Sequence, residues 1–386
     1  MPNENAALPS PILITGAGGF VGRNLVATLR ALGCGDLLLF EKDDTLETLA
    51  DYCRRAAFVV HLAGINRPQD PGEFYRGNAG LTETMLQLLA EHGNRAPVAV
   101  TSSIQAALDN DYGKSKRMAE DAIFAHGKAA GAPVYVFRME GVFGKWCRPN
   151  YNSVVATFCH NIARGLPIEV RDPAYELPLV YIDDVVQCLL DVMRHGSARM
   201  DGEGFCRIHP VHRVTLGRLA ETLQGFARAR GAGGLPTLAV PNLAADSFEK
   251  KLYSTYLSYL PEDSFAYDLN MHCDARGSFT EFLRTPERGQ VSVNISRPGI
   301  VKGNHWHHTK NEKFLVVRGE GVIRFRRIDS DQVIEYRVSG DKLQVVDIPC
   351  GYTHNIENVG DGDLVTVMWA NEAFDPDRPD TFALPV

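Results

Sequence analysis

The sequence has no long hydrophobic run, no closely paired cysteines and no large excess of charge. No window of its 386 residues approaches the ~20 apolar residues that a membrane-spanning helix requires. The eight cysteines are scattered singly, which argues against disulfides, and a net charge of -7 argues against a nucleic-acid partner. The first residues lack the basic and apolar regions of a signal peptide. We therefore expect a cytoplasmic protein without membrane or nucleic-acid partners.

The chain has the composition of an ordinary globular protein and the length of more than one domain. Hydrophobic residues make up 45% and charged residues 23% of the sequence, so an apolar core is feasible. A chain of 386 residues exceeds the size at which a single core normally keeps growing. We expect one domain over residues 1–245, a linker helix over 246–265 and a second domain over 266–386.

A glycine-rich turn joins the first apolar run, Ile12–Thr15, to a segment with helical periodicity. Gly16 permits the turn, Gly19 leaves room for a pyrophosphate, and Gly22 allows the helix to pack closely on the strand. This pattern predicts a dinucleotide at the helix N-terminus, and the alternative is a turn that binds nothing. The predicted contacts are Gly16, Gly18, Gly19, Phe20, Val21 and Gly22.

Further apolar runs predict the rest of a doubly wound α/β sheet with parallel strands. The second strand covers residues 36–40, and the runs at 58–64 and 98–103 are separated by helical patterns. Glu41 and Lys42 follow the second strand, where the adenosine ribose of a dinucleotide is usually recognised. Glu41 suits the free 2′-hydroxyl of NAD, whereas Lys42 suits the 2′-phosphate of NADP, so both cofactors remain open.

Tyr112 and Lys116 are four positions apart, which places both on one face of a helix. A phenol with a pKa near ~10 is a poor acid or base at neutral pH, and an adjacent ammonium favours its ionised form. The pair therefore predicts a tyrosine tuned for proton transfer, with Ser103 placed to orient a substrate oxygen. The alternative is a solvated helix start with incidental charges.

These motifs resemble the extended short-chain dehydrogenase/reductase family. The resemblance rests on the glycine loop, His61–Gly64, Ser102, Ser103 and the Tyr112/Lys116 pair. It implies a catalytic triad of Ser103, Tyr112 and Lys116. It also implies NAD(P) contacts at Glu41, Lys42, Leu62, Ala63, Gly64, Tyr112 and Lys116, and a nucleotide-sugar pocket with Asn66, Arg67, Arg138, Lys145, Trp146, Asn150 and Asn152.

The pattern changes after about Pro241. A tyrosine-rich helical segment covers residues 252–260, and its tyrosines indicate packing between domains rather than a ligand platform. Beyond it, short apolar runs alternate with turn residues, which predicts an all-β antiparallel barrel or jelly roll. These runs are 290–295, 313–317, 322–325, 344–348 and 364–368.

His305, His307, Glu312 and His354 are candidate metal ligands in this barrel. Residues two apart in a strand share a face, so His305 and His307 point together, and the other two can close the site from neighbouring strands. Three imidazoles and a carboxylate suit Zn²⁺, and iron, manganese or nickel also fit these ligands.

The same residues resemble the motifs of the cupin superfamily. Pro349–His354 is similar to the second cupin motif, and residues 274–281 resemble the opening segment of nucleotide-sugar 3,5-epimerases built on this barrel. The residues that match the first motif are Gly299, His305, His307, Glu312 and Gly319. The resemblance implies sugar chemistry, and a homodimer through the cupin edge strands is expected.

Over nearly its full length the sequence resembles the bifunctional capsular-polysaccharide enzymes of the CapF type. The resemblance implies that the cupin domain epimerises C3 of a UDP-4-keto-6-deoxy-N-acetylhexosamine. The other domain would then reduce the C4 ketone with NADPH, or with NADH, to UDP-2-acetamido-2,6-dideoxy-L-talose on the route to N-acetyl-L-fucosamine. Two alternatives remain: a UDP-sugar 4-epimerase with bound NAD, and a reductase whose cupin is a non-catalytic dimerisation module.

The C4 ketone dictates the order of these steps. A carbonyl at C4 acidifies the proton at C3, so epimerisation must precede reduction. The base for this step remains open among Lys302, His308 and Tyr336. The metal is expected either to act as a Lewis acid or to hold the strands and orient the substrate.

Overall fold

The computed structural model describes residues 7–241, 244, 246–285 and 287–386. The chain forms two compact units. The first comprises Met1–Leu223 with Lys251–Leu260, and the second comprises Gln224–Lys250 with Pro261–Val386. This division differs from the predicted boundaries, because residues 224–250 group with the second unit and residues 251–260, half of the predicted linker helix, group with the first.

The first unit contains a five-stranded parallel sheet with the order β2-β1-β3-β4-β5. β1 and β3 are buried along their whole length, and apolar clusters cover the sheet, as expected for parallel strands with helices on both faces. Successive strands are added to one side of β1 and then to the other, so the strand order switches between β1 and β3. Open α/β sheets bind ligands at such a switch point, at the carboxyl ends of the strands. The strands are β1 Ile12–Thr15, β2 Leu37–Phe40, β3 Phe58–His61, β4 Val98–Ser103 and β5 Val134–Met139.

Nine α-helices and a small sheet complete the α/β part within the described residues. A π-helical turn, Tyr75–Gly80, joins α3 to α4, and a 3₁₀ turn, Ile104–Ala107, follows β4. The helices are α1 Phe20–Ala31, α2 Leu46–Arg55, α3 Gly72–Phe74, α4 Leu81–Glu91, α5 Asp111–Ala130, α6 Val154–Ala163, α7 Ile182–His195, α8 Leu216–Ala229 and α9 Phe248–Leu257. The small sheet has the order β6-β7-β8, formed by Gly141–Phe143, Glu176–Tyr181 and His212–Thr215.

The tyrosine-rich segment belongs to the first unit because its polar groups are bound there. The Lys251 ammonium pairs with Asp184 at 2.8 Å. The Tyr259 hydroxyl donates to the carbonyl of Cys147 at 2.5 Å, and Arg164 donates to the Tyr259 carbonyl at 2.9 Å. These bonds fix α9 and the turn after it within the first unit, whereas the sequence predicted packing between domains.

The second unit is an antiparallel all-β fold of two sheets, as predicted from the sequence. Their orders are β16-β13-β18-β11-β10-β9 and β15-β14-β17-β12-β19. Phe314, Ile323, Phe325 and Ile356 are buried in a core to which both sheets contribute. The strands are β9 His272–Asp274, β10 Gly277–Thr285, β11 Gly289–Ser296, β12 Val301–Trp306, β13 Glu312–Arg318, β14 Glu320–Arg327, β15 Val333–Ser339, β16 Val345–Ile348, β17 Tyr352–Asn358, β18 Leu364–Ala370 and β19 Phe382–Ala383.

The helices and the cysteines bear on the expectations that the chain spans no membrane and forms no disulfides. Within the described residues, none of the helices combines the length and the apolar character needed to cross a membrane. All eight cysteines are free thiols, which confirms the prediction that they form no disulfides.

Candidate functional sites

The glycine-rich turn between β1 and α1 has the shape of a phosphate cradle. Gly16 has a φ of 68°, and a Cβ there would lie 2.8 Å from the backbone nitrogen of Ala63. A Cβ on Gly22 would collide with the carbonyl of Gly16. α1 begins at Phe20 and its N-cap, Gly19, provides no side-chain cap. These features fit a dinucleotide pyrophosphate at the helix N-terminus.

The other predicted cofactor residues lie at the same edge of the sheet. Glu41 and Lys42 follow β2, and the Glu41 carboxylate accepts a hydrogen bond from the Gly18 amide. Leu62, Ala63 and Gly64 follow β3. The ends of three adjacent strands therefore converge on the glycine loop.

Ser103 and Tyr112 lie together next to this edge. Ser103 ends β4, and Tyr112 lies in the first turn of α5, whose N-cap Asn110 accepts from the Gly113 amide at 2.7 Å. Burial raises the pKa of the Tyr112 phenol, and a hydrogen bond with Ser103 only partly offsets this. The sequence predicted a lowered pKa, so the direction is corrected: the phenol is protonated at neutral pH and suited to donate.

Lys116 occupies a buried slot beside Gly64. Its Nζ lies 3.5 Å from the carbonyl of Thr101, and a Cβ on Gly64 would lie 3.0 Å from this nitrogen. Burial lowers the pKa of Lys116 to about 8, although Glu120 acts in the opposite direction. His61 is also buried, which, with the nearby Lys116 charge, lowers its pKa to about 3. A neutral histidine therefore lies near Lys116 of the predicted triad.

Arg138 is held inside the first unit. Its guanidinium donates to both carboxylate oxygens of Glu120, at 2.9 and 2.7 Å, and lies 3.6 Å from the ring centroid of Phe205. Glu120 also accepts from the Ser102 hydroxyl at 2.6 Å and is 2% exposed. This geometry favours a structural role for Arg138 over the predicted substrate contact.

Lys145 and Trp146 begin the loop between β6 and α6. Lys145 pairs with Asp183 at 2.6 Å. Trp146 is exposed, and Arg23 in the first turn of α1 lies 5.3 Å from its ring centroid. The loop thus lies beside the helix that begins at the glycine cradle.

The remaining predicted substrate residues are exposed. Asn66 and Arg67 lie in the loop after β3, and Asn150 and Asn152 lie in the loop between β6 and α6. Tyr151 lies in the polar and aromatic segment 145–152, which the sequence predicts as a substrate contact. It joins the two loops because the Arg67 guanidinium lies 6.0 Å from its ring centroid.

The four predicted metal ligands converge in the second unit. His305 lies in β12 and is paired with His354 of β17, His307 follows β12, and Glu312 begins β13. Their ligand atoms all lie within 4.8 Å of one another. Glu312 Oε2 is 3.5 Å from His307 Nε2 and 3.3 Å from His354 Nε2.

Unpaired buried atoms show that this cluster fits a cation. Among the described residues, His307 Nε2, Glu312 Oε2 and both ring nitrogens of His354 are buried without a hydrogen-bond partner, which is costly in a protein interior. His307 Nδ1 donates to the Asp380 carbonyl at 2.5 Å, so its Nε2 lone pair faces the cluster. A divalent metal would satisfy His307 Nε2, Glu312 Oε2 and one ring nitrogen of His354.

Asp380 is a supporting residue that the sequence analysis missed. Its carboxylate accepts from the backbone amides of His308, Thr309 and Lys310 at 3.0, 2.8 and 2.8 Å. These bonds fix the turn that connects His307 to Glu312. Asp380 lies 73 residues beyond His307, and neither the cupin spacing nor a local pattern points to it.

The four candidate ligands help to line a cavity of about 830 Å³, whose lining residues belong to the second unit. Lys302 lies in its wall, where Nζ donates to Asn294 Oδ1 at 2.8 Å and to the Ile295 carbonyl at 2.9 Å, and burial lowers its pKa. Of the other candidate bases, Tyr336 is 51% exposed on β15 and His308 packs against Trp306. Among the three, the cavity wall favours Lys302.

Comparison with known proteins matches both units. Residues 12–205 match the NAD dependent epimerase/dehydratase family, and residues 272–382 match the polysaccharide biosynthesis C-terminal domain. The UDP-2-acetamido-2,6-beta-L-arabino-hexul-4-ose reductase of Pseudomonas aeruginosa is 44% identical over 97% of this chain and 98% of its own length.

Solved structures give the same result. The capsular polysaccharide assembling protein CapF from Staphylococcus aureus is 50% identical, with a TM-score of 0.89 over 97% of this chain and 100% of its own. The UDP-glucose 4-epimerase of Thermotoga maritima shares the fold alone, with a TM-score of 0.53 and 19% identity over 64% of this chain and 98% of its own. The chain therefore belongs to the CapF family, in which a domain of the NAD dependent epimerase/dehydratase family precedes a polysaccharide biosynthesis C-terminal domain.

Proposed function

We propose that the chain is a bifunctional nucleotide-sugar enzyme. Its substrate is a UDP-4-keto-6-deoxy-N-acetylhexosamine, which the second unit inverts at C3 and the first unit reduces at C4. The product is UDP-2-acetamido-2,6-dideoxy-L-talose. The observation that carries the proposal is the position of Ser103 at the end of β4, of Tyr112 in the first turn of α5 and of Lys116 beside Gly64, next to the glycine-loop edge. The name of the reductase from Pseudomonas aeruginosa supports the substrate.

In the reductase unit, Tyr112 donates its phenolic proton to the sugar oxygen at C4. Ser103 orients that oxygen, and Lys116 contributes positive charge beneath the phenol. The group that would bind the glycine loop, NADPH or NADH, supplies a hydride to C4. The raised pKa of Tyr112 keeps the proton available at neutral pH.

In the second unit, Lys302 Nζ takes the proton from C3 while the ketone is still present. A proton from solvent returns to the opposite face of C3, which inverts this carbon. Burial lowers the pKa of Lys302 and so raises the fraction of neutral amine. Asn294 and the Ile295 carbonyl hold the nitrogen at the cavity wall.

We assign Zn²⁺ to His305, His307, Glu312 and His354 because three imidazoles and one carboxylate match its preferred donors. A bound Zn²⁺ supplies positive charge next to the cavity and can polarise a substrate oxygen. Four protein ligands fill a tetrahedral coordination shell and leave no open position for the substrate. We therefore propose that the metal mainly holds β12, β13 and β17 together and orients the sugar.

Replacing Tyr112 with Phe tests the reductase assignment. We expect about a 10²–10⁴-fold loss in oxidation of reduced nicotinamide with the 4-keto sugar, because the proton donor is removed. Nicotinamide binding should persist, since Gly16, Gly22 and Lys116 are unchanged. Full turnover in the Tyr112→Phe variant would refute the assignment.

The amount of nicotinamide consumed distinguishes a reductase from a 4-epimerase. The wild type should oxidise one nicotinamide per product, whereas a 4-epimerase would oxidise none.

A further inference from the structure

A buried carboxylate lies one helical turn after Lys116. Glu120 is 2% exposed, and its spacing on α5 places it on the same helix face as Lys116. Both residues line a cavity of about 10 Å³, which has room for about one water molecule. Solvent therefore screens the attraction between the two charges only weakly.

Glu120 also joins three elements of the first unit. Its Oε1 accepts from the Ser102 hydroxyl at 2.6 Å and from Arg138 Nε at 2.9 Å, and its Oε2 accepts from Arg138 Nη2 at 2.7 Å. Ser102 precedes Ser103 in β4 and is paired with Arg138 of β5. One carboxylate thus holds the strand that ends in Ser103 against the helix that carries Lys116.

The other titratable groups around Lys116 do not supply a second negative charge. His61, on β3, is neutral because burial and the Lys116 charge lower its pKa to about 3. Tyr112, on the same helix, keeps its proton at neutral pH because burial raises its pKa. Arg138, on β5, is a cation that neutralises part of the Glu120 charge. Glu120 is therefore the group that favours the ammonium form of Lys116.

We propose that Glu120 and Arg138 form a positioning pair that acts on the reaction through Lys116. The proposal rests on the proposed reduction in the first unit. Glu120 keeps Lys116 charged as the pH rises, and its bond with Ser102 fixes the end of β4 that carries Ser103. Arg138 sets how much of the Glu120 charge acts on Lys116. Neither Glu120 nor Arg138 needs to contact the sugar or the nicotinamide for this role.

The pH profile of reduction by the full-length protein tests this pair. Lys116 has a pKa of about 8, so kcat/KM should fall as the pH rises through this value. Glu120→Gln removes the negative charge next to Lys116, so this alkaline fall should move about one pH unit or more to lower pH. In Arg138→Gln, Glu120 keeps its charge without the neutralising guanidinium, so the fall should move to higher pH. A pair that only stabilised the fold would lower both melting temperatures and leave the fall in place.

Glu203→Gln is the matched control, because Glu203 is a second carboxylate beside Arg138. Its Oε2 lies 3.6 Å from Arg138 Nη1, but its side chain is 72% exposed, so solvent screens its charge. The alkaline fall in this variant should coincide with that of the wild type. The proposal is overturned if Glu120→Gln shifts the fall no further than Glu203→Gln does. Should Glu120→Gln not fold, an unshifted or lower alkaline fall in Arg138→Gln overturns it.

Titration of Lys116 separates this proposal from the proposed function. ¹³C NMR of the full-length protein labelled in its lysines follows each ammonium without sugar or nicotinamide, and Lys116→Arg identifies the resonance of Lys116. Its pKa should fall in Glu120→Gln and rise in Arg138→Gln. These shifts in a chain that reduces no keto sugar would overturn the proposed function and leave the action of the pair on Lys116 standing. Equal pKa values in the wild type and both variants would overturn the pair whatever the activity.

Discussion

At the residue scale, the proposed reductase site depends on one buried cation, Lys116, and one largely buried phenol, Tyr112. Lys116 fits beside Gly64 because Gly64 has no side chain. The carboxylate of Glu120, two helical turns after Tyr112, stabilises the positive charge of Lys116. His61 adds no competing positive charge because its pKa is lowered to about 3. Burial thus brings the pKa of Lys116 close to the neutral range while it raises that of Tyr112.

The pH dependence of reduction follows from the pKa of Lys116, which burial lowers to about 8. The ammonium is present below this pKa and is lost as pH rises through it. We expect kcat/KM for reduction to fall over the same range. In Lys116→Arg the charge persists, so the alkaline fall should move to higher pH even if the overall rate drops. A wild-type profile that stays flat through this range would contradict this role of Lys116.

At the scale of elements, sequence patterns predicted the parts whose signals are local. Buried parallel strands such as Ile12–Thr15 are continuous apolar runs, and Tyr112 and Lys116 follow helix spacing. The metal ligands were predicted together because the cupin spacing links distant strands. The sequence predicted α9 as part of a linker, whereas residues 251–260 group with the first unit. Periodicity shows that a helix has a packing face and does not show which unit it packs on.

Support from distant elements was beyond sequence reasoning for the same reason. Asp380 holds the turn after β12, and Glu120 holds Arg138. Neither residue lies in the sequence motif that it supports. Both act through hydrogen bonds that only folding brings together.

The turn between β12 and β13 gives a test at this scale. Asp380→Ala removes the carboxylate that accepts from the amides of residues 308–310, while the backbone carbonyl that orients His307 remains. We expect metal affinity to fall about 10- to 100-fold, because supporting partners of ligands have effects of this size. Competition with a chelator measures the affinity, and exposed Asp377→Ala is the control. Equal affinities in both variants would exclude a supporting role for Asp380.

At the scale of the whole molecule, the second unit leaves a sheet edge exposed that carries apolar and charged side chains. β15 ends its sheet and exposes Val333, Ile334 and Tyr336. Such an edge favours pairing with another strand. We therefore propose that two chains pair through this edge as a homodimer, as the cupin resemblance led us to expect.

Light scattering after size exclusion measures this assembly. The wild type should have the mass of two chains, and Ile334→Lys should shift it towards one chain because it places a charge on the pairing edge. Val345→Lys alters the edge of the other sheet, on β16, and should leave the dimer intact. A wild-type protein with the mass of one chain would rule out the dimer.

The combination of two chemistries on one ketone is the central claim. Its most direct test is NMR of the product formed by the full-length protein from the UDP-4-keto sugar and reduced nicotinamide in deuterated water. We predict a 4-hydroxy sugar formed in equal amount to the nicotinamide oxidised, inverted at C3 and carrying solvent deuterium there. A reduced sugar that keeps its original C3 configuration and proton would contradict the account, as would a sugar that remains a ketone.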